Sequence, residues 1–313
     1  MSSSPTLDVV IVNWRSDEYL ARCLASLPAA ASPAFAFGNV VVVENECRWE
    51  PSPWERCARG LPVHAIRNSQ NAGFARACNQ GARAGSADYI LFLNPDVILN
   101  ETSLDLPLRY FSQAQKSVGI CGIRLLDDHG RPSTSHAYFP TPKRLLVEAL
   151  GIDKLPGHTH RGRTVDPELL SRSGFVDQIM GAFFLVRRSV YDGLGGFDER
   201  FFVYFEEVDF SMRAAQRGYR SYYLADATAN HHGGASSNQV LDMRLFYVLR
   251  SRIQYARKHF RWPALCGLVA VMLTLEPLCR IAWALINRQS DSVSQTVKAY
   301  WKLWHFLVLE TGA

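Results

Sequence analysis

The N-terminal third of the chain alternates between short apolar runs and amphipathic stretches. Ser16 is predicted to cap a helix whose apolar side chains recur at helical spacing, and residues 71–83 are predicted to form a second helix. Such alternation predicts an α/β fold with a mostly parallel sheet and helices on both faces. The apolar runs of strand length are Leu7–Trp14, Asn39–Glu44, Val63–Ile66 and Tyr89–Leu93.

Polar residues stand where three of these runs end. Asn13 ends the first, Glu44 and Asn45 end the second, and Asn-Pro-Asp at 94–96 follows the fourth. Parallel sheets bind ligands at the carboxyl ends of their strands, so these residues are candidates for a binding site. They also have a structural explanation, because proline fixes φ and Asn-Pro-Asp is ordinary turn chemistry.

A second concentration of polar residues lies between 201 and 236. Glu206, Glu207 and Asp209 follow an aromatic run and open an amphipathic helical pattern. They are therefore predicted at a helix N-terminus, where the dipole favours ionised carboxylates. His231 and His232 follow a predicted strand and precede Gly-Gly, which favours a position in a cleft. This segment predicts that the chain performs chemistry.

The C-terminal segment 241–313 differs in charge from residues 1–240. It holds ten Lys and Arg against four acids, a net charge of +6, whereas the whole chain carries +5. Arg244–Arg261 is basic and aromatic, which favours a helix on an anionic membrane surface over a nucleic-acid patch. Pro263–Leu275 is apolar but too short to cross a bilayer alone. We expect an interfacial or re-entrant helical pair, with a buried core helix as the alternative.

Composition excludes disorder, because 48% of the 313 residues are hydrophobic and 20% are charged. The seven cysteines include no C-x-x-C pair, and the N-terminus shows no export signal, so a reducing cytosol is expected. Residues 127–175 are rich in Pro, Gly, His and Arg and are expected to form a long insertion or mobile loop. Its basic residues are either solvated or contacts for a diphosphate-linked lipid: Lys143, Arg144, Arg161 and Arg163.

Seven motifs, in this order, resemble those of glycosyltransferase family 2, the inverting enzymes of GT-A fold, and within it the rhamnosyltransferase-like branch. The resemblance spans residues 7 to 240 and implies a GT-A domain over 1–240 followed by the membrane-associating segment 241–313. The motifs are VVIVNW at 9–14, VVVVENE at 40–46, NAGFARACNQG at 71–81, FLNPDV at 92–97, GAFFLVRR at 181–188, GGFDERFFVYFEEVDFSMR at 195–213 and HHGGASS at 231–237.

The resemblance implies a role for each matching residue. Asp96 would bind a divalent cation, Mg²⁺ or Mn²⁺, with His231 as a further ligand, and Glu207 would be the base, with Glu206 or Asp209 taking part. Three positions depart from the family pattern, since Glu44, Asn94 and Glu207 stand where Asp is usual. The implied donor-binding residues are Val12, Asn13, Glu44, Asn45, Asn71, Gly73, Phe74, Asn94 and Asp96, with Arg76 a phosphate contact; Gly181, Asp198 and Glu199 would lie on the acceptor side.

The function implied is inverting transfer of L-rhamnose from dTDP-L-rhamnose onto a polyprenyl-diphosphate-linked or polysaccharide acceptor. The expected location is the cytoplasmic face of the membrane, on the inner leaflet, with no nucleic-acid partner and with a homodimer left open. One alternative is a UDP-linked donor carrying galactofuranose, a hexose or an N-acetylhexosamine. Another is a non-catalytic sugar-nucleotide binder, which the three departures favour.

Overall fold

The computed structural model describes residues 4–46, 53–56, 60–155, 162–234 and 241–311. Two compact units divide the chain. Unit 1 takes the residues up to 138 together with 165–202 and 206–236, and unit 2 takes 139–164, 203–205 and the residues from 237 onward. The tail is therefore joined in unit 2 by two segments from earlier in the chain.

Unit 1 is built on a mixed sheet, in which ten strands of the described residues take part, in the order β3-β2-β1-β4-β11-β6-β12-β5, with β7 beside β6 and β9 beside β12. The first four strands in that order are parallel, and β11 runs antiparallel to both β4 and β6. The α/β mixed-sheet fold class is confirmed. The strands are β1 Thr6–Asn13, β2 Ala36–Glu44, β3 Val63–Arg67, β4 Tyr89–Leu93, β5 Val97–Leu99, β6 Val118–Leu126, β7 Pro132–Ser133, β8 His136–Ala137, β9 Gly174–Val176, β10 Gln178–Ile179, β11 Phe183–Arg187 and β12 Arg220–His231.

Both faces of the sheet are covered, which explains why its strands are continuous apolar runs. Along β1, Val9 and Ile11 pack into one hydrophobic cluster with α1 and α3, whereas Val10 and Val12 pack into the other with α2 and α6. The helices of unit 1 are α1 Asp17–Ser26, α2 Phe74–Arg83, α3 Glu101–Gln113, α5 Arg188–Gly193 and α6 Glu206–Gln216; those of unit 2 are α4 Pro142–Ala149, α7 Leu241–His259, α8 Trp262–Ile286 and α9 Ser290–Thr311.

Helix α4 lies where the sequence led us to expect an insertion or mobile loop. Thr141 caps it by accepting a hydrogen bond from the Arg144 amide at 3.2 Å. Leu145 is fully buried and packs in one cluster with Leu249 and Leu268 of α7 and α8. Part of the predicted loop is therefore a helix in the core of unit 2, whereas residues 156–161 fall outside the described residues, Arg161 among them.

The C-terminal helices also differ from the expectation in which faces they expose. Helix α7, the basic aromatic segment, buries Phe246, Leu249, Arg252, Ile253 and Tyr255, so its aromatic side packs within unit 2. The exposed apolar side chains belong instead to the two helices that follow. They are Trp262, Leu275, Leu278, Trp283, Leu285 and Ile286 of α8 and Val297, Trp301, Trp304, Val308 and Leu309 of α9.

Helix α8 continues as one helix through Glu276 and Pro277, where the sequence suggested an interruption. Within the described residues it alone is long and apolar enough to cross a membrane, with a mean hydropathy of 1.8 over its most apolar window, 22% of which is buried. Core helices of soluble proteins pass the same test, so length and composition alone assign no membrane span.

Candidate active site

The carboxyl edge of the parallel strands brings the first predicted polar residues together. Asn13 and Glu44 are in register on β1 and β2. The Asn13 amide donates to Glu44 Oε2 at 3.0 Å and to Asp17 at 2.7 Å, and the Ser16 hydroxyl donates to Asn13 Oδ1 at 2.8 Å. Ser16 stands at the predicted N-cap of α1, but its side chain orients Asn13 instead of capping the helix.

Glu44 is buried at this edge and held by a residue that the sequence analysis missed. The Trp54 indole N–H donates to Glu44 Oε1, so each carboxylate oxygen accepts a hydrogen bond from a protein side chain. Trp54 is only 1% exposed although it lies in a proline-rich stretch. The sole sequence signal was a large aromatic residue between a proline and a glutamate. The direct contact of Glu44 with a nucleotide stays a prediction.

The loop before α2 is shaped by a network of amides. Asn45 Oδ1 accepts from Asn68 Nδ2 at 3.0 Å and from the Ala72 N–H at 2.9 Å, while Asn45 Nδ2 donates to Asn71 Oδ1 at 2.9 Å. Asn71 Oδ1 also accepts the Gly73 N–H. The predicted donor-wall residues Asn45, Asn71 and Gly73 therefore form one connected loop, and Asn68 is a member that the motifs did not reveal.

Gly73 needs to be glycine for two independent reasons. Its φ is +86°, in the region that L side chains rarely adopt, and a Cβ there would lie 2.6 Å from the Phe202 carbonyl oxygen. The same carbonyl accepts the Phe74 N–H at 2.5 Å. The loop before α2 is thus tied directly to the aromatic run that precedes the acid pair.

Asp96 and His231, the two predicted metal ligands, converge. His231 pairs with Val97 across β12 and β5, which places its Nε2 3.3 Å from Asp96 Oδ1. Nε2 is buried and has no hydrogen-bond partner among the described residues. A carboxylate oxygen and an imidazole nitrogen this close suit a shared divalent cation. The described residues include no group of three or more His, Cys, Asp or Glu that could hold a metal, so the remaining ligands would be phosphate and water oxygens.

The neighbours of this pair do not add a ligand. The His232 Nδ1 lies 2.6 Å from Asp128 Oδ2, and its ring packs 4.9 Å from that of Tyr19. Burial, and then the charge of Asp96, raise the pKa of the Cys23 thiol, so this sulfur is protonated and is no candidate for a thiolate ligand. Asp96 and His231 are therefore the two side chains here that suit a divalent cation.

Glu206 and Glu207 begin α6, as predicted, but differ in environment. Glu206 is 4% exposed, and its Oε2 has no hydrogen-bond partner within the described part of the chain. Burial, and then the charge of Glu207, raise the pKa of Glu206 well above its usual range. Glu207 is half-buried, and a Cβ added at Gly181 would lie 3.8 Å from its Cδ. Burial therefore disfavours the ionised form of Glu206.

The turn that holds Asp96 connects to the surroundings of Glu207. The Asn94 N–H donates to the Ala182 carbonyl at 3.0 Å, directly after Gly181, which faces Glu207. The Val97 N–H donates to the Asn94 carbonyl at 3.2 Å, so the Asn-Pro-Asp segment is a turn as well as part of the site. A hydrogen bond therefore joins the predicted metal turn to Ala182, and Glu207 lies against the preceding residue, Gly181.

Asp209 and the acceptor-side acids are paired with arginines. Asp209 is fully buried and accepts from Arg213 Nε at 2.7 Å, while the same guanidinium donates to the Leu194 and Gly196 carbonyls. Asp209 thus fastens the loop before α6, and its participation in catalysis stays a prediction. Asp198 accepts three side-chain hydrogen bonds from Arg200, and Glu199 contacts Asn79, Arg83 and, at 3.9 Å, Arg76.

Known proteins resemble this chain in sequence and in fold. It is 28% identical over 244 residues to the N-acetylglucosaminyl-diphospho-decaprenol L-rhamnosyltransferase of Mycobacterium tuberculosis, covering 74% of this chain and 78% of that protein. It is 28% identical to rhamnosyltransferase WbbL of Escherichia coli, covering 56% and 64%. The low-salt glycan biosynthesis hexosyltransferase Agl10 of Haloferax volcanii is 27% identical, and the match covers 66% of this chain and 61% of that protein.

Among solved structures, a mannosyltransferase from Pyrobaculum calidifontis in complex with GDP-Man and Mn²⁺ matches with a TM-score of 0.57 at 13% identity, over 97% of this chain and 88% of that one. This likeness shows the fold. The sequence model described as glycosyltransferase like family 2 matches residues 5–263. The prediction from the seven motifs, including the rhamnosyltransferase-like branch and the enzyme class, is confirmed: the chain belongs to glycosyltransferase-like family 2.

Proposed function

We propose that the chain is an inverting glycosyltransferase that moves L-rhamnose from dTDP-L-rhamnose onto a polyprenyl-diphosphate-linked glycan at the cytoplasmic face of the membrane. The observation that carries this proposal is the connection of two chemical groups in unit 1. Asp96 stands on the turn that bonds to Ala182, His231 reaches Asp96 from the end of β12, and Glu207 faces the adjoining Gly181. A cation site for the diphosphate and a carboxylate base for the acceptor hydroxyl suit inverting transfer.

The residues of the first pair would hold the cation. Asp96 Oδ1 and His231 Nε2 lie 3.3 Å apart, and His231 has spare capacity to bind. When bound, Mg²⁺ or Mn²⁺ would offset the charge that develops on the departing diphosphate. Asn94, in place of the family's first aspartate, leaves the charge at this turn to Asp96. The Asn94 backbone N–H is used to hold the turn against Ala182.

The acid pair would move the proton. As the acceptor hydroxyl oxygen bonds to the anomeric carbon, its proton passes to the Glu207 carboxylate, and the anomeric C–O bond to phosphate breaks with its electron pair leaving on the nucleoside diphosphate. A base must be ionised before the step. The two acids would divide the roles, because burial and then the charge of Glu207 raise the pKa of Glu206 and favour its protonated form. Glu207 is therefore assigned the base.

The donor and acceptor are proposed from the relatives. Two relatives at 28% identity are named as rhamnosyltransferases, and one of these names an N-acetylglucosaminyl-diphospho-decaprenol acceptor. The galactofuranosyltransferase GlfT2 of Mycobacterium tuberculosis is 23% identical over 78% of this chain, which keeps a UDP-linked furanose in the donor panel. The amide-lined loop of Asn45, Asn68 and Asn71 offers hydrogen bonds that suit a nucleotide.

Membrane association is proposed for unit 2, through the exposed faces of α8 and α9. Trp262, Trp283, Trp301 and Trp304 are all more than a third exposed, and indole rings favour the membrane interface. The net charge of +6 from residue 241 onward favours the anionic inner leaflet. Glu276 lies at the middle of the apolar helix and is buried within unit 2. A carboxylate at that position favours a peripheral or monotopic attachment over a helix that crosses the bilayer.

The experiment is sugar-nucleotide turnover by the purified full chain. dTDP-rhamnose and a panel of UDP- and GDP-sugars are supplied with a bacterial lipid extract, with Mn²⁺, with Mg²⁺ or with EDTA, and nucleoside diphosphate release is measured. We expect metal-dependent release from dTDP-rhamnose that requires lipid. If nucleoside diphosphate were released only from a UDP-sugar, the donor would be that sugar nucleotide and not dTDP-rhamnose. If donors bound but none released nucleoside diphosphate, the proposal would be overturned in favour of a sugar-nucleotide-binding protein.

A further inference from the structure

Three residues just before the acid pair belong to a different unit from their neighbours. The chain leaves unit 1 after Phe202, contributes Val203, Tyr204 and Phe205 to unit 2, and returns to unit 1 at Glu206. Tyr204 and Phe205 have φ values of 68° and 70°. Two consecutive non-glycine residues in the left-handed region are unfavourable and persist only where their surroundings fix them. What fixes this turn therefore also sets where α6 begins.

The contacts that fix the turn come from within unit 2. The Ser251 hydroxyl, on α7 and 1% exposed, donates to the Val203 carbonyl at 2.8 Å. The Phe205 ring is buried, lies 5.6 Å from the ring of Tyr255, one turn further along α7, and has the Arg163 guanidinium 4.7 Å over it. A hydrogen bond, an aromatic contact and a cation–π contact thus hold one short segment.

These supporting residues are themselves held in place. Arg163 donates to Glu148 of α4 through its backbone N–H at 2.8 Å and through Nε at 3.0 Å. Tyr255 is fully buried in α7 and its ring also contacts His259. The turn is therefore held by two residues of α7 and by an arginine bonded to α4, so its strained conformation is determined from outside the segment.

The residues flanking the turn are both part of the site in unit 1. The Phe202 carbonyl accepts the Phe74 N–H from the donor-wall loop, and Glu206 is the first residue of α6. A relaxation of Tyr204 and Phe205 to ordinary φ would rotate the backbone that leads into Glu206 and Glu207. Displacement of a catalytic group by about 1 Å can reduce the rate on the order of 100-fold.

We propose that Ser251 is a positioning residue of the active site and that Tyr255 and Arg163 support it in this role. It acts through the Val203 carbonyl to keep the turn 203–205 in its left-handed conformation, so that Glu207 begins α6 in the reacting geometry. This inference rests on the proposed function for its kinetic consequence and on backbone geometry for its structural one. The helical tail then contributes to the chemical step in addition to providing a membrane surface.

The test compares Ser251→Ala with Ser294→Ala in the full chain. Ser294 is an exposed serine of α9 and is the matched control. We expect Ser251→Ala to lower kcat about 10- to 100-fold while the donor KM changes less than about threefold, because only the base is misplaced. Phe205→Leu, which keeps an apolar side chain but loses the ring contacts, is expected to give the same pattern and serves if Ser251→Ala folds poorly.

Hydrogen–deuterium exchange separates this inference from the proposed function. Peptides covering residues 203–213 are expected to exchange faster in Ser251→Ala than in Ser294→Ala, while peptides of β1 and β4 do not change. Unchanged exchange in 203–213 overturns the positioning role, as does a rise in KM without a fall in kcat. Faster exchange in a chain that turns over no sugar nucleotide supports the positioning of the turn and refutes the transferase.

Discussion

Glu276 in unit 2 and Glu206 in unit 1 are both buried glutamates, but their surroundings are opposite in kind. In unit 2, Glu276 is fully buried and accepts hydrogen bonds from Arg252, at 3.0 and 3.1 Å, and from Arg280, at 2.8 and 3.0 Å. In unit 1, Glu206 is almost as buried, its Oε2 has no hydrogen-bond partner among the described residues, and its neighbour is another acid. The arrangement around Glu276 suits a structural role, because two guanidinium groups compensate the buried carboxylate and hold it in place. That around Glu206 suits chemistry, because an uncompensated acid has a raised pKa.

The largest expected effect comes from removing the proposed base. Glu207→Gln keeps the size of the side chain but cannot accept the proton, so kcat is expected to fall on the order of 10²- to 10⁴-fold. Glu206→Gln should have a smaller effect on kcat, because burial raises the pKa of Glu206 and favours the protonated form, which glutamine resembles. Single-turnover release of nucleoside diphosphate measures both variants. Equal losses in the two would mean that the acids share the proton and that the assignment of Glu207 alone is wrong.

The counterpart in unit 2 is a stability effect. Glu276→Gln leaves the Arg252 and Arg280 guanidinium groups without their carboxylate, and breaking a buried pair in this way costs about 3–5 kcal/mol. The control, Asp291→Asn, changes an exposed acid at the start of α9 and is expected to cost less than about 1 kcal/mol. Urea unfolding in a mild detergent measures the difference. A cost for Glu276→Gln as small as that of the control would show that the buried cluster does not hold unit 2 together.

These contrasts show what the sequence could and could not predict. Asp96 and His231 were candidates because each follows an apolar run, where this fold class places ligands, and the family resemblance implied that they bind a metal. Glu276 was taken as an interruption of the apolar run, since nothing local shows that Arg252, 24 residues earlier, supplies its partner. Trp54 was missed for the same reason, because no local pattern shows that its indole bonds to Glu44, ten residues earlier. Pairings between distant elements are set by packing, which periodicity does not encode.

The next prediction concerns the proposed cation site. Residues that merely orient metal ligands typically account for about 10- to 100-fold in metal affinity, so Asp96→Asn and His231→Ala should each weaken Mn²⁺ binding at least that much. His232→Ala is the matched control, because this ring pairs with Asp128. Mn²⁺ titration followed by electron paramagnetic resonance, with dTDP present, reports binding without turnover. If His232→Ala weakened binding as much as His231→Ala, the two histidines would have been assigned in the wrong order.

The smallest predicted effect is the pH dependence that Glu206 imposes on stability. Its pKa is raised in the folded chain, so the folded state keeps a proton that the unfolded state loses as pH rises above the ordinary glutamate range. The stability that this proton contributes is complete below the unfolded pKa and is lost as pH rises through the folded pKa. The loss is at most about 1.4 kcal/mol per pH unit.

Glu206→Gln should therefore flatten the fall of Tm with rising pH, whereas Glu168→Gln, at an exposed acid of unit 1, should leave the slope as it is. If Tm fell with pH at the same slope in the unsubstituted chain, Glu206→Gln and Glu168→Gln, Glu206 would be ionised in the folded protein. The assignment of Glu207 as the base would then have to rest on properties of Glu207 itself.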